Sequence, residues 1–236
     1  MKKRVLSFLL PVALLYSCSK KPEASTASSF EGVIVHSFIV YKNVGNDTTT
    51  QYYYYKNGKA ITQTKNNRMG KFSTAEYSTP DKEYFPVGDT LIELDLKDIE
   101  QYHATSSRAS YKPLMIESKD EKEINGWQAT RSTTGLDGGR KADLWITAKT
   151  PEIAYAEYDR VRHLPIERKW RRLLFDSLAK NGLTIVRADM FSENLTLSTQ
   201  ISLIERRSLP DSLFELPKGI PIKHWSIEQL KAELKD

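Results

Sequence analysis

Polar and apolar residues alternate through most of the chain beyond residue 29 with the two-residue period of β-strands. Residues 30–41 (FEGVIVHSFIVY) form a strand-like run with apolar side chains on both alternating faces. Residues 52–55 and 60–64 flank Lys56-Asn57-Gly58-Lys59, and the Asn-Gly pair suits the two positive φ angles of a tight hairpin turn. Shorter strands are predicted at 71–77, 83–87, 91–96 and 114–118. Residues 127–134 and 142–147 flank the glycine-rich stretch 135–139, and a last pair, 183–190 and 195–206, flanks Ser192-Glu193-Asn194. Short strands separated by turn residues at this spacing predict a mainly antiparallel β protein.

Between 150 and 182 the period becomes helical. Thr150 is placed to cap a helix, Pro151 suits its first position and Glu152 complements its dipole. Pro165 ends that helix near Leu164. A second helix is predicted over 166–180, where Ile166, Trp170, Leu173, Leu174 and Leu178 form one apolar stripe, and Asn181-Gly182 ends it. Ser226 and Gln229 have the spacing of a capping box for a short helix through 235. The pattern therefore predicts an α+β fold, mainly antiparallel β, in a single domain over 30–236.

Charge changes the picture at the N-terminus. The chain has 35 Lys and Arg against 30 Asp and Glu, a net charge of +5 that by itself points toward nucleic acid. Lys2, Lys3 and Arg4 carry three of the five surplus charges, so the rest is close to neutral and a nucleic-acid partner is not expected. Those three precede an apolar run, 5–16, which has the length of an export signal and is too short to span a bilayer. Leu15-Tyr16-Ser17-Cys18 resembles the lipobox of bacterial lipoproteins, in which cleavage precedes acylation of the cysteine. The resemblance implies a signal peptide at 1–17, lipidation of Cys18 and attachment to a membrane. Cys18 is the chain's one cysteine, so no disulfide within the chain is possible. Ser19 stands where an aspartate would resemble an inner-membrane retention signal, and Lys20 and Lys21 stand where surface-export signals carry acids. Both departures point to the periplasmic face of the outer membrane. Residues 19–29 have tether composition, with a root-mean-square reach of about 18 Å, so 18–29 is expected to be an acylated cysteine and its flexible tether.

The order of elements, a β-meander, a helix pair after Leu144-Trp145-Ile146-Thr147 and then a long hairpin, resembles the periplasmic lipoprotein carriers and outer-membrane lipoprotein receptors (LolA/LolB-like). Phe30-Glu31-Gly32, Ile124-Asn125-Gly126-Trp127 before a central strand, and residues 213–220 (LFELPKGI) carry the same resemblance. It implies an unclosed β-barrel, or strongly curved sheet, wrapped over the helices, with a cleft for acyl chains.

Motifs for chemistry are sparse. The sequence has no G-x-S-x-G elbow, no HExxH and no phosphate-binding glycine loop, and His36, His103, His163 and His224 read as isolated surface or core residues. Neither an enzyme, a metal nor a cofactor is expected. Glu93 and Asp95 alternate with Ile92, Leu94 and Leu96, which predicts a solvated acidic face opposite a core face. Arg160, Arg162, Arg168, Lys169, Arg171 and Arg172 form a basic segment beside the apolar stripe, read as the charged face of an amphipathic helix. The ligand-binding residues expected from these features are Trp170, Leu173, Leu174, Arg168 and Arg171. The function expected is non-catalytic binding of an acyl chain, lipid or lipidated partner in a β-cleft; the alternative is a scaffold in outer-membrane assembly without a lipid ligand.

Overall fold

Asn57 and Gly58, with φ angles of 49° and 73°, turn the chain between β2 (Gly45–Lys56) and β3 (Lys59–Asn66), as their sequence predicts. The computed structural model describes residues 30–42, 45–105, 115–135, 141–165, 169–192 and 195–233. Before that hairpin comes β1 (Gly32–Lys42). After it come β4 (Lys71–Phe72), β5 (Glu76–Ser78), β6 (Lys82–Val87), β7 (Thr90–Asp95) and helix α1 (Leu96–Thr105). Next are β8 (Met115–Ile124), β9 (Trp127–Gly135), β10 (Lys141–Thr147), α2 (Pro151–His163) and α3 (Lys169–Lys180). The chain then forms β11 (Thr184–Ser192), β12 (Leu195–Arg206), β13 (Ile222–His224) and α4 (Ile227–Glu233).

All thirteen strands belong to one sheet, ordered β13-β7-β6-β5-β3-β2-β1-β12-β11-β10-β9-β8, with β4 paired to β3. Every pairing is antiparallel except β13 with β7. Strands β13 and β8 end the path without pairing to each other among the described residues, so the sheet is unclosed. This is the expected fold class: a mostly antiparallel open sheet carrying a helical insertion.

Strand β1 is covered on both faces, as its composition requires. Ile34, opposite Tyr53, packs with Phe30, Tyr55 and Ile201 against Ile153 and Ala156 of α2. On the other face Val33 and Val35 meet Ile61, Ala75, Leu209 and Phe214. The segment bearing Leu209 and Phe214 is fastened there because Leu209 N–H donates to Glu31 and Lys56 pairs with Asp211 at 2.9 Å. Between β1 and β12 the register slips at Ser202, where Val35 faces Leu203 but His36 faces Ile201. The extra residue of this bulge lets both Ile201 and Ile204, an odd number of positions apart, pack on the α2 side.

Helix α3 lies on β10 and β11 through Leu174 and Leu178 against Ala142, Leu144 and Ala188. Its end matches the sequence signal: Gly182 (φ 63°) donates to Ala179 and Leu183 to Leu178, a Schellman closure. The Ser226–Gln229 capping box also forms in both directions at α4.

Several expectations are corrected. Thr150 does not cap α2 with its side chain; its hydroxyl is drawn to Thr184, while its carbonyl accepts from Ile153 and Ala154. The single strand expected at 71–77 is two, because the chain leaves β3 after two residues of β4 and returns to it as β5. Leu96 opens α1, a helix the alternation did not suggest, and packs with Ile99, Ile227 and Leu230. Asn125 and Gly126 (φ 50° and 86°) form a two-residue hairpin, and the β9 that follows lies beside the edge strand β8, not centrally. The expected turns at 136–139 and at 193–194 lie outside the described residues, as do Ile166 and Arg168.

Candidate functional site

Register places small and apolar side chains in rows beneath α3. In one row Phe38 faces Thr199, Thr199 faces Ala188 and Ala188 faces Leu144. In the next Leu197 faces Met190, Met190 faces Ala142 and Ala142 faces Thr134. The alanines and threonines leave space that α3 does not fill, and a cavity of about 280 Å³ lies there between sheet and helices. Arg171, Leu174 and Phe175 of α3 and Glu157 and Arg160 of α2 complete its wall. The volume is roughly twice the ~150 Å³ that holds a benzene-sized guest, and close to the smaller ligand pockets of about 300 Å³.

One end of the cavity is charged. On α2, Ile153, Ala156, Glu157, Arg160 and Val161 share the inward face at i, i+3, i+4, i+7 and i+8, so an acid and a base are carried into the core with the apolar stripe. Glu157 Oε1 lies 3.1 Å from His36 Nε2, and its Oε2 accepts from Arg160 Nη2 at 2.9 Å. Burial alone would raise the Glu157 pKa, but the attraction of Arg160 and His36 outweighs it and holds the carboxyl well below the usual range. An ionised carboxylate only accepts, so His36 presents Nε2–H to it. Burial likewise opposes the Arg160 charge, while Glu157, Tyr53 and Tyr55 raise its pKa above the ordinary value. The Arg160 guanidinium stands 5.0 Å from the Tyr53 ring centre and 6.0 Å from that of Phe175. Burial pushes the Tyr53 hydroxyl up to about 12.

A second buried polar group lies along the same helix, where His163 Nδ1 is 3.2 Å from Glu83 Oε2. Glu83 is raised chiefly by burial, and Glu76 is pushed up to about 7 by burial and by the charge of Glu83. His103 donates to the Leu164 carbonyl at 3.3 Å, and His224 Nδ1 is 3.4 Å from Glu93 Oε1. The four histidines are thus partnered, not isolated.

Of the residues expected at a site, Leu174 and Arg171 line the cavity, while Leu173 is exposed on α3 and is not part of the lining. Trp170 belongs to α3, but its side chain lies outside the described residues, as do Arg168 and Cys18. Sequence reading missed His36, Glu157 and Arg160, and it assigned Arg160 to a solvated face. The signal that marks Glu157 and Arg160 is their place in the inward stripe of α2.

Glu93 and Asp95 share a face with His224, and one ligand atom from each lies within 4.8 Å of the others. Lys82 Nζ is already 2.7 Å from Glu93 Oε1, which holds the Glu93 pKa down, so a cationic side chain occupies this group. No described helix is long and apolar enough to cross a membrane.

No protein-family model matches the chain, and no curated protein sequence matches it. Solved structures do. PNGF-II is 10% identical with a TM-score of 0.47, covering 87% of this chain and 33% of that one. A LolA superfamily protein from Nitrosomonas europaea is 9% identical with a TM-score of 0.34, covering 82% and 96%. MucB, in the Pseudomonas aeruginosa MucA/MucB complex, is 8% identical with a TM-score of 0.38, covering 82% and 58%. The chain thus spans a third of PNGF-II and under two thirds of the MucB chain, and a LolA superfamily protein is among the structures it resembles.

Proposed function

We propose that this chain is a non-catalytic binding protein that holds a hydrophobic ligand, an acyl chain, a lipid or a lipidated partner, in the cavity between sheet and helices. The observation that carries this reading is the 280 Å³ cavity with its floor of Phe38, Leu144, Ala188, Met190 and Leu197. The mechanism is reversible burial of apolar chain surface, which contributes about 25 cal/mol per Å² and needs no bond to form or break. The sequence supports the placement: Cys18 anchors the chain at the periplasmic face of the outer membrane, and residues 18–29 tether the binding domain near it. Native mass spectrometry of protein purified from envelopes is expected to find a co-purifying lipid. A cavity that is consistently empty, together with no transfer of labelled lipid to the protein, defeats the reading.

A further inference from the structure

The charged end of the cavity narrows the ligand class, on the reading that the cavity holds an apolar chain. Glu157 has each oxygen engaged by a different donor, Oε1 with His36 and Oε2 with Arg160. It therefore takes one arm of the Arg160 fork, and the buried Nε–H of Arg160 has no acceptor among the described residues. Such a donor, out of reach of bulk water, is costly to leave unmade. A second guanidinium, Arg171, stands on the same wall from α3, and the two lie 6.0 and 5.8 Å from the one Phe175 ring. A guanidinium presents planar paired donors that match the oxygens of a carboxylate or phosphate, whereas an ester or alcohol head offers no charge to them. Away from this corner the wall is apolar through Leu174, Ala188 and Met190.

We propose that the cavity takes a single-chain anionic amphiphile, with its chain on the sheet floor and its carboxylate or phosphate at Arg160 and Arg171. A volume near the lower end of ligand pockets suits one chain better than two. The test is titration of the full chain with dodecanoate, dodecyl phosphate and methyl dodecanoate. Both anions are expected to bind at least tenfold tighter than the ester, and Arg171→Met to narrow that ratio to within about threefold. Arg160→Met alone leaves the buried Glu157 charge with only His36 against it, so Glu157→Gln/Arg160→Met is the companion variant, expected to erase the anion preference. Equal affinity for all three compounds overturns the proposal and leaves the apolar-cavity reading standing. Failure of all three to bind overturns both. A preference for dodecanoate over the phosphate assigns the head to a free fatty acid, and the reverse assigns it to a single-chain phosphate amphiphile such as a lysophospholipid; either supports the proposal.

Discussion

His36 and Glu157 are 121 residues apart in the chain, yet their side chains meet at 3.1 Å with 8% and 4% of their surface exposed. The contact joins β1 to α2 at the charged end of the cavity, and Arg160 donates to the other oxygen of the same carboxylate. A buried charge in such a group is held by its partners, so removing one partner leaves the others exposed to the full cost of desolvation.

Glu157→Gln keeps the shape but strands the Arg160 charge, and is expected to destabilise the fold by about 3–5 kcal/mol in urea unfolding at neutral pH. Glu157→Gln/Arg160→Met is expected to recover at least half of that loss. Because the Glu157 pKa is depressed in the folded state, its contribution is present above the ordinary carboxylate range and is lost as pH falls through the lowered value. The gap between wild type and Glu157→Gln should therefore close only in strong acid. A loss under 1 kcal/mol at pH 7 would show that the pair does not hold the helix.

Glu76 has the opposite sign. Burial, then the neighbouring charge of Glu83, raises it to about 7, so between the ordinary carboxylate pKa and 7 the folded state keeps a proton that the unfolded state has released. Stability falls as pH rises through that window, by up to about 3 kcal/mol. Thermal melts at pH 5 and pH 8 should show the wild type losing more than Glu76→Gln. Equal losses in the two proteins would remove Glu76 from the account.

Gly32 opens β1 at φ 148°, and a Cβ there would stand 2.1 Å from the Glu205 carbonyl oxygen and 3.0 Å from the Arg206 Cα. Both obstacles are backbone of the paired strand and cannot swing aside. Gly32→Ala is expected to cost roughly 3 kcal/mol or more, read from denaturant unfolding, whereas Gly88→Ala, which meets nothing within 4 Å, should cost less.

Ala188 sits at the centre of the cavity floor between Thr199 and Leu144. Ala188→Phe puts a ring into the space a ligand would take. Co-purifying lipid is expected to fall at least fivefold while the circular-dichroism spectrum stays that of a folded β protein. Unchanged lipid content in a folded variant would move the binding site elsewhere.

Cys18→Ser removes the thiol that the lipobox-like sequence offers for acylation. Metabolic labelling with a radioactive fatty acid should mark the wild-type protein and not this variant, and the variant should leave the membrane fraction. Persistent labelling would mean that the anchor lies at another residue.

Local chemistry made much of the fold legible. Asn57-Gly58, Asn181-Gly182 and the Ser226–Gln229 box each act on backbone within a few residues, so the sequence states their geometry directly. Helix α1 escaped because its buried side is Leu96, Ile99 and His103, and a histidine does not register as an apolar position. In the site, Leu174 was visible as part of a helical stripe. The partnership of His36 with Glu157 was not, because nothing local in either segment specifies a neighbour 121 residues away. Arg160 was misplaced for a related reason: a basic run reads as a solvated face until the helix is turned to show which member points inward.

The pairing of β1 with β12, Gly32 against Arg206 at one end, lies in the middle of the sheet and couples segments from near opposite ends of the described chain. The cavity straddles that seam, with His36 and Phe38 on one side and Leu197, Thr199 and Ile201 on the other. Because contacts this distant in sequence form only after a long loop has closed, the hairpin halves can assemble early but the binding chamber cannot. As the chain emerges, β1 must wait, with its β12 edge unpaired, until the residues from 195 onward are available. The interval in which a nascent chain is most prone to mispair is therefore also the interval before it has a site to fill.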